Sequence, residues 1–310
     1  MTAQERRGVL AIAAAATLWG TTGTAAAYAP AVSSLAIGAG AMGVGGLLQA
    51  AVYAPEIRRN RSELRSHWVT VLVGGLCVVI YPLAFYSSMR VAGVALGNVV
   101  SLASAPLASA LIERVLDGRA LTRRWMLACL LGIGGAALMC LPHGGQTPGT
   151  GSPTLGVALG LIAGLTYAGY SRALRSLLAH RVDRKAATGA VFGVGGAALM
   201  PILVIAGGAA VATSPRALLV IGYLAVIPMF VGYLLFSRGL AGVDATTATT
   251  ITLIEPAVAT LTAMVFLGEM LTGAGWLGLV LLAAALALLL VPGRSPRSPG
   301  GTRRDSLVRS

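Results

Sequence analysis

Between Arg7 and Glu56 the chain carries no charged side chain, and long apolar stretches parted by short arginine clusters continue in the same way to residue 291. About twenty consecutive apolar residues suffice to cross the hydrocarbon core of a bilayer as a helix. Of the 310 residues, 56% are apolar and 11% charged, with a mean hydropathy of +0.82. A water-soluble globule of this size needs far more polar surface, and a disordered chain needs low hydrophobicity and high charge. The chain therefore reads as an integral membrane protein.

Ten spans fit the pattern: 8–28, 33–54, 68–88, 91–112, 125–141, 154–172, 186–212, 217–237, 244–267 and 273–291. Tyr28-Ala29-Pro30 divides the first two, Met89-Arg90 hinges the third and fourth, and the turn-rich 143–153 parts the fifth from the sixth. An even number of spans puts both termini on one side. Of the 23 Lys and Arg, all but Arg90 and Arg216 fall on that side, so the positive-inside rule makes both termini cytoplasmic, in the plasma membrane. Arg6, Arg7 and Ala27-Tyr28-Ala29 imitate a secretory signal with its cleavage site, but the apolar run exceeds the usual 7–15 residues, so it is expected to remain as the first span.

The net charge of +13 is met by the same clusters, which attract anionic lipid headgroups. They form no single patch or stripe and show no zinc-finger, RNA-recognition or phosphate-loop spacing, so nucleic acid is not an expected partner. Cys77, Cys129 and Cys140 form no CxxC pair and read as packing residues, while His67, His143 and His180 stand apart. Neither a metal nor a cofactor is expected. Gly156, Gly160 and Gly164 lie on one helical face, and clusters at Gly40–Gly46 and Gly132–Gly135 offer similar close-packing surfaces.

Shifting the chain by 150 residues lays Ala105-Pro106 on Glu255-Pro256 and the turn Gly118-Arg119-Ala120-Leu121-Thr122 on Gly268-Glu269-Met270-Leu271-Thr272. The first and sixth spans correspond roughly, with Trp19 near Tyr167. Five helices are followed by five, and because five is odd the halves enter the membrane from opposite sides. The expected fold is thus all-α, ten transmembrane helices in two inverted-topology repeats: 1–142, a linker 143–153, 154–292, and a disordered basic tail 293–310. Inverted repeats typify secondary transporters, whose substrate site lies at the repeat interface near the midplane.

On Leu18-Trp19-Gly20, Pro106, Leu253-Ile254-Glu255-Pro256 and Gly268-Glu269, the chain resembles the drug/metabolite transporter superfamily, in particular its ten-helix EamA-type branch, over essentially all of 8–291. The resemblance implies transport of small metabolites, including amino acids, by alternating access coupled to protons or exchange. One position departs: Arg119 stands where the family carries an acid after the glycine. That favours a helix-terminus role for Glu269, beside the capping candidate Thr272.

Glu255 is the one acid deep in a span, where a carboxylate costs about 2.5–3.5 kcal/mol on insertion scales and by default faces a cavity. It is a candidate proton carrier; the alternative is a protonated acid bonded to a neighbouring helix. Pro256 cannot donate to the carbonyl of Thr252, which leaves a polar notch beside it. Thr249, Thr252 and Glu255 share a face, as do Asn98 and Ser101 ahead of Pro106, so these two faces are candidate cavity walls. Trp19, Tyr81, Tyr86, Tyr167, Tyr170 and Tyr233 are candidate lining aromatics, Tyr28 and Tyr53 interfacial anchors, and Pro82, Pro106, Pro228 and Pro256 hinges or passive kinks. The expected activity is export of a small organic metabolite, driven by protons or exchange, by a chain whose oligomeric state the sequence leaves open. A flippase for lipids or lipid-linked sugars on the same fold is the alternative. An intramembrane enzyme is disfavoured because no catalytic groups converge within a span.

Overall fold

The computed structural model describes residues 2–92, 94–118, 122–139, 152–267 and 273–290. They form α1 (Ala3–Gly20), α2 (Thr22–Ala27), α3 (Ser34–Val52), α4 (Ala54–Arg59), α5 (Arg61–Ser66), α6 (Trp68–Ala92), α7 (Val94–Asp117), α8 (Arg123–Met139), α9 (Pro153–Ala179), α10 (Arg184–Thr213), α11 (Pro215–Leu224), a π-helical segment Ala225–Gly232, α12 (Tyr233–Leu240), α13 (Ala245–Ile251), α14 (Ile254–Leu267) and α15 (Gly273–Leu290). No strand occurs among the described residues. Seven helical stretches there are long and apolar enough to cross a bilayer: Ala3–Ala26, Ser34–Val52, Trp68–Ala92, Thr154–Ala179, Arg184–Thr213, Pro215–Leu240 and Thr247–Phe266. α7, α8 and α15 are helical in the residue ranges expected for the fourth, fifth and tenth spans but are not among those seven. Residues 143–151 of the expected linker 143–153, Glu269, Thr272, Cys140 and the tail 293–310 lie outside the described residues.

Several boundaries differ from the expected ones for identifiable reasons. Met89-Arg90 is no hinge, because α6 stays helical to Ala92. α9 runs past Arg172 to Ala179; Arg172 is held by Asp117 of α7 at 2.7 Å, and Arg175 donates to the carbonyl of Leu240 at 2.7 Å. The stretch between α3 and α6 forms the two short helices α4 and α5. Tyr53 is not a lipid-facing anchor: it is 6% exposed and sits beneath Lys185, whose Nζ is 5.9 Å from the ring centre.

Helices of the first half pack mainly on helices of the second: α6 on α9, α3 on α10, α7 on α9, α8 on α15, and α1 on α12 and α14. Small residues permit this, since no hydrophobic effect draws helices together in lipid. The Gly156/Gly160/Gly164 face meets the end of α6 and α7 so closely that an added methyl would strike Ala92 or Ser104. α3 and α10 cross where Gly46 abuts the carbonyl of Phe192 and Gly196 that of Gly43. Gly134 has nothing within 4 Å among the described residues and makes no such contact. At the arginine-rich end, Lys185 pairs with Glu56 at 3.0 Å, Asn60 accepts from the backbone of Asp183, and the His67 ring lies tilted against that of His180 with ring centres 4.4 Å apart. α7 ends at Gly118, whose φ of +64° is the left-handed turn that glycine adopts without strain, and Thr122 then caps α8 by accepting from Trp125 N.

Candidate functional site

Three helix breaks shape the centre of the protein. α1 ends at Gly20 and restarts as α2, with Trp19 at the break. Pro228 lies in the widened π turn, where backbone carbonyls become available to side chains: Trp19 Nε1 donates to Pro228 at 2.9 Å and Gln49 Nε2 to Met229 at 3.1 Å. The third break divides α13 from α14. Pro256 supplies no N–H, and the chain passes through tighter turns, Leu253 N to Thr250 and Glu255 N to Thr252, before α14 begins. The expected kink is therefore a full interruption. It puts Glu255 in the first turn of α14, beside the partial positive charge of a helix N-terminus.

These breaks surround a narrow, partly open cavity of about 30 Å³. Trp19, Tyr81, Tyr86, Tyr167, Tyr233, Pro82 and Glu255 line it, with Thr22, Phe85, Met42 and Met229 completing much of the wall. The aromatic rings form one continuous cluster: Trp19 lies 4.7 Å from Tyr233 and 6.2 Å from Tyr167, and Tyr81 lies 5.4 Å from Tyr167. Gly38 makes room for Tyr86, and Gly232 for Trp19. Two glycine contacts set the position of Glu255. An added methyl on Gly20 would lie 2.6 Å from Val258 Cβ and 2.9 Å from the carbonyl of Glu255, so α1 and α14 meet nearly backbone to backbone.

The polarity of the cavity is sparse. Glu255 is 9% exposed, and among the described residues no basic side chain lines the wall to pair with it. The hydroxyl of Tyr167 is buried without a hydrogen-bond partner. Tyr170 lies behind the wall, its hydroxyl 3.0 Å from that of Tyr233. No group of three or more His, Cys, Asp or Glu is arranged to hold a metal ion among the described residues.

The expected polar walls differ from the structure. Ser101 is buried and turns its hydroxyl back to Gly97 of its own helix at 2.7 Å. Thr249 donates to Ser109 of α7, and Thr252 to the carbonyl of Thr249. Thr249 thus reaches across the α7–α13 contact while Ser101 and Thr252 bond their own backbone, and none of the three lines the cavity; Pro106 sits in α7 with Ser101. The side chain of Asn98 lies outside the described residues. Phe85, Thr22 and the two methionines were not expected. Phe85 could have been found, being one helical turn from Tyr81, but a methionine in an apolar span carries no such signal.

A helical membrane protein with broken helices around a central, sparsely polar cavity has the architecture of a multi-pass transporter. The comparisons make that particular: the EamA-like transporter family model matches twice, at residues 6–141 and 154–291, and the chain belongs to that family. It is 30% identical over 285 residues to an uncharacterized transporter of Bacillus subtilis (strain 168), YwfM, covering 92% of this chain and 94% of that one. A solved crystal structure of a protein 22% identical in sequence shares the fold with a TM-score of 0.73 over 91% of this chain and 96% of its own.

Proposed function

We propose that this transporter exports a small organic metabolite, an amino acid or related compound, across the plasma membrane by alternating access, with Glu255 carrying the coupling proton. In this reading the chain spans the membrane ten times as two inverted repeats with both termini cytoplasmic, as the arginine asymmetry favours. The observation that carries the coupling role is the lone carboxylate in an otherwise uncharged aromatic cavity. Such a group exchanges a proton at a lower energetic cost than it bears a permanent buried charge. The cavity as it stands encloses about 30 Å³, room for little more than a water molecule, so a substrate enters only once its walls part, as alternating access requires.

The test is radiolabelled uptake of an amino-acid and metabolite panel into inside-out vesicles under an imposed pH gradient, wild type beside Glu255→Gln. Gradient-driven uptake by the wild type, lost in the variant while substrate exchange persists, is the expected result. Equal gradient-driven uptake by both refutes the coupling role. A wild type that moves no member of the panel refutes the metabolite reading and moves the weight to lipid substrates.

A further inference from the structure

The corner between α3 and α6 holds a second recess, which shares no lining residue with the central cavity. Arg61, Leu64 and Arg65 share a face of α5, and Trp68 opens α6 just beyond the break at His67. That face borders an open groove of about 380 Å³ whose remaining wall includes Ile57, Val71 and Leu72, with Ala190 of α10 opposite. Nearly all the surface exposed in the groove is apolar, yet the two arginines stand one turn apart at its side. From Leu72 the apolar track continues along exposed Val73 and Leu76 of α6 and Val194 of α10.

We infer that this groove binds an anionic phospholipid of the arginine-rich leaflet, its phosphate held by Arg61 and Arg65 and an acyl chain laid along the α6–α10 seam. The occupant is fixed by two demands that must be met together. A soluble anion would satisfy the guanidinium pair but leave the apolar groove wet, and a neutral apolar molecule would leave the charges unanswered. Arginine forks bind phosphate oxygens bidentately. Trp68, 57% exposed, belongs at the headgroup level where indoles concentrate. The nearby acids do not oppose an anion there: Glu56 is tied to Lys185, and Glu63 turns to Ser62 and does not line the groove. Arg58 and Arg59 on α4 are exposed but also lie off the lining, so they add to the general field without belonging to the site. Because α6 and α10 come from different halves of the chain, the lipid seats across both. Only the naming of the leaflet as cytoplasmic rests on the orientation proposed above.

Native mass spectrometry of the purified full chain in detergent, titrated with phosphatidylglycerol and separately with phosphatidylcholine, tests this directly. The expected result is one tight phosphatidylglycerol adduct that phosphatidylcholine does not match. In Arg61→Gln/Arg65→Gln that adduct weakens by about thirtyfold, at about 1 kcal/mol per arginine and 1.4 kcal/mol per decade. Arg58→Gln/Arg59→Gln retains it within about threefold. Both double variants change only exposed side chains, and matching gel-filtration profiles confirm their folding. Equal binding of the two lipids, or equal losses in the two variants, overturns the site, because either means that bulk charge alone attracts lipid. The assay reads no transport, so its failure leaves the reading of the central cavity intact.

Discussion

Replacing Gly20 by alanine adds one methyl group where α1 meets α14. The built Cβ would lie 2.6 Å from Val258 Cβ, 2.7 Å from Val258 Cγ1 and 2.9 Å from the Glu255 carbonyl. Carbon atoms pack at about 3.5–4.0 Å, so the helices must separate by about 1 Å. Overpacking of this kind costs about 1–3 kcal/mol, against a helix-propensity gain of about 1 kcal/mol for Gly→Ala. The net effect is a loss of up to about 2 kcal/mol, together with a displaced Glu255. Gly23, three residues on in α2, has nothing within 4 Å. The same substitution there keeps the propensity gain alone, so the two variants should shift stability in opposite directions. Thermal unfolding in detergent, followed by tryptophan fluorescence, reads the stability; vesicle uptake reads the consequence for Glu255. Gly20→Ala should melt below wild type and transport poorly, and Gly23→Ala should melt at or above wild type and transport normally. If Gly20→Ala melted with or above Gly23→Ala, the backbone-to-backbone contact of α1 and α14 would be refuted.

The two stacked tyrosines should separate stability from transport. Tyr170→Phe removes the hydroxyl bonded to Tyr233 and should cost about 1 kcal/mol in thermal unfolding. Tyr167→Phe removes an unpartnered hydroxyl facing the cavity and should leave unfolding unchanged or improved while altering the apparent KM of uptake. At the arginine-rich end, the hydrogen bond from Lys185 holds the Glu56 carboxyl below its ordinary value of 4.5. A folded value below the unfolded one stabilises the fold above the unfolded value, and the stabilisation is lost as pH falls through the folded value. The melting-temperature advantage of wild type over Glu56→Gln should therefore be present at neutral pH and vanish on acidification below about pH 4.5. A difference that does not depend on pH would assign the effect to packing instead.

Trp19, Tyr81, Tyr167 and Glu255 were legible as cavity candidates because they sit well inside spans, where a polar or amphipathic side chain needs a partner or a recess. Ser101, Thr249 and Thr252 were legible only as members of a face. Helical spacing says which residues share a face but not which neighbour it meets, and α7 turned out to be the neighbour of α13. In a soluble protein the polar face would mark the outside, but in lipid both the surface and the interior are apolar, so the contrast that orients a helix is weak. Pro228 and Pro256 announced disturbed helices without saying how. One is absorbed by widening into a π turn, where the Trp19 indole and the Gln49 amide take the carbonyls of Pro228 and Met229, and the other by a clean break.

The interleaving of the two halves bears on how the chain is made. The indole of Trp19 is bonded to a carbonyl 209 residues further along. At about 5–20 residues per second of synthesis, that partner leaves the ribosome about 10–40 s after Trp19 does. Through that interval α1, α3 and α6 reside in the bilayer with the faces meant for α12, α10 and α9 turned to lipid or to the insertion machinery. The first half is thus a waiting template rather than a finished module, and lesions late in the gene should surface as misassembly and degradation of its earliest helices.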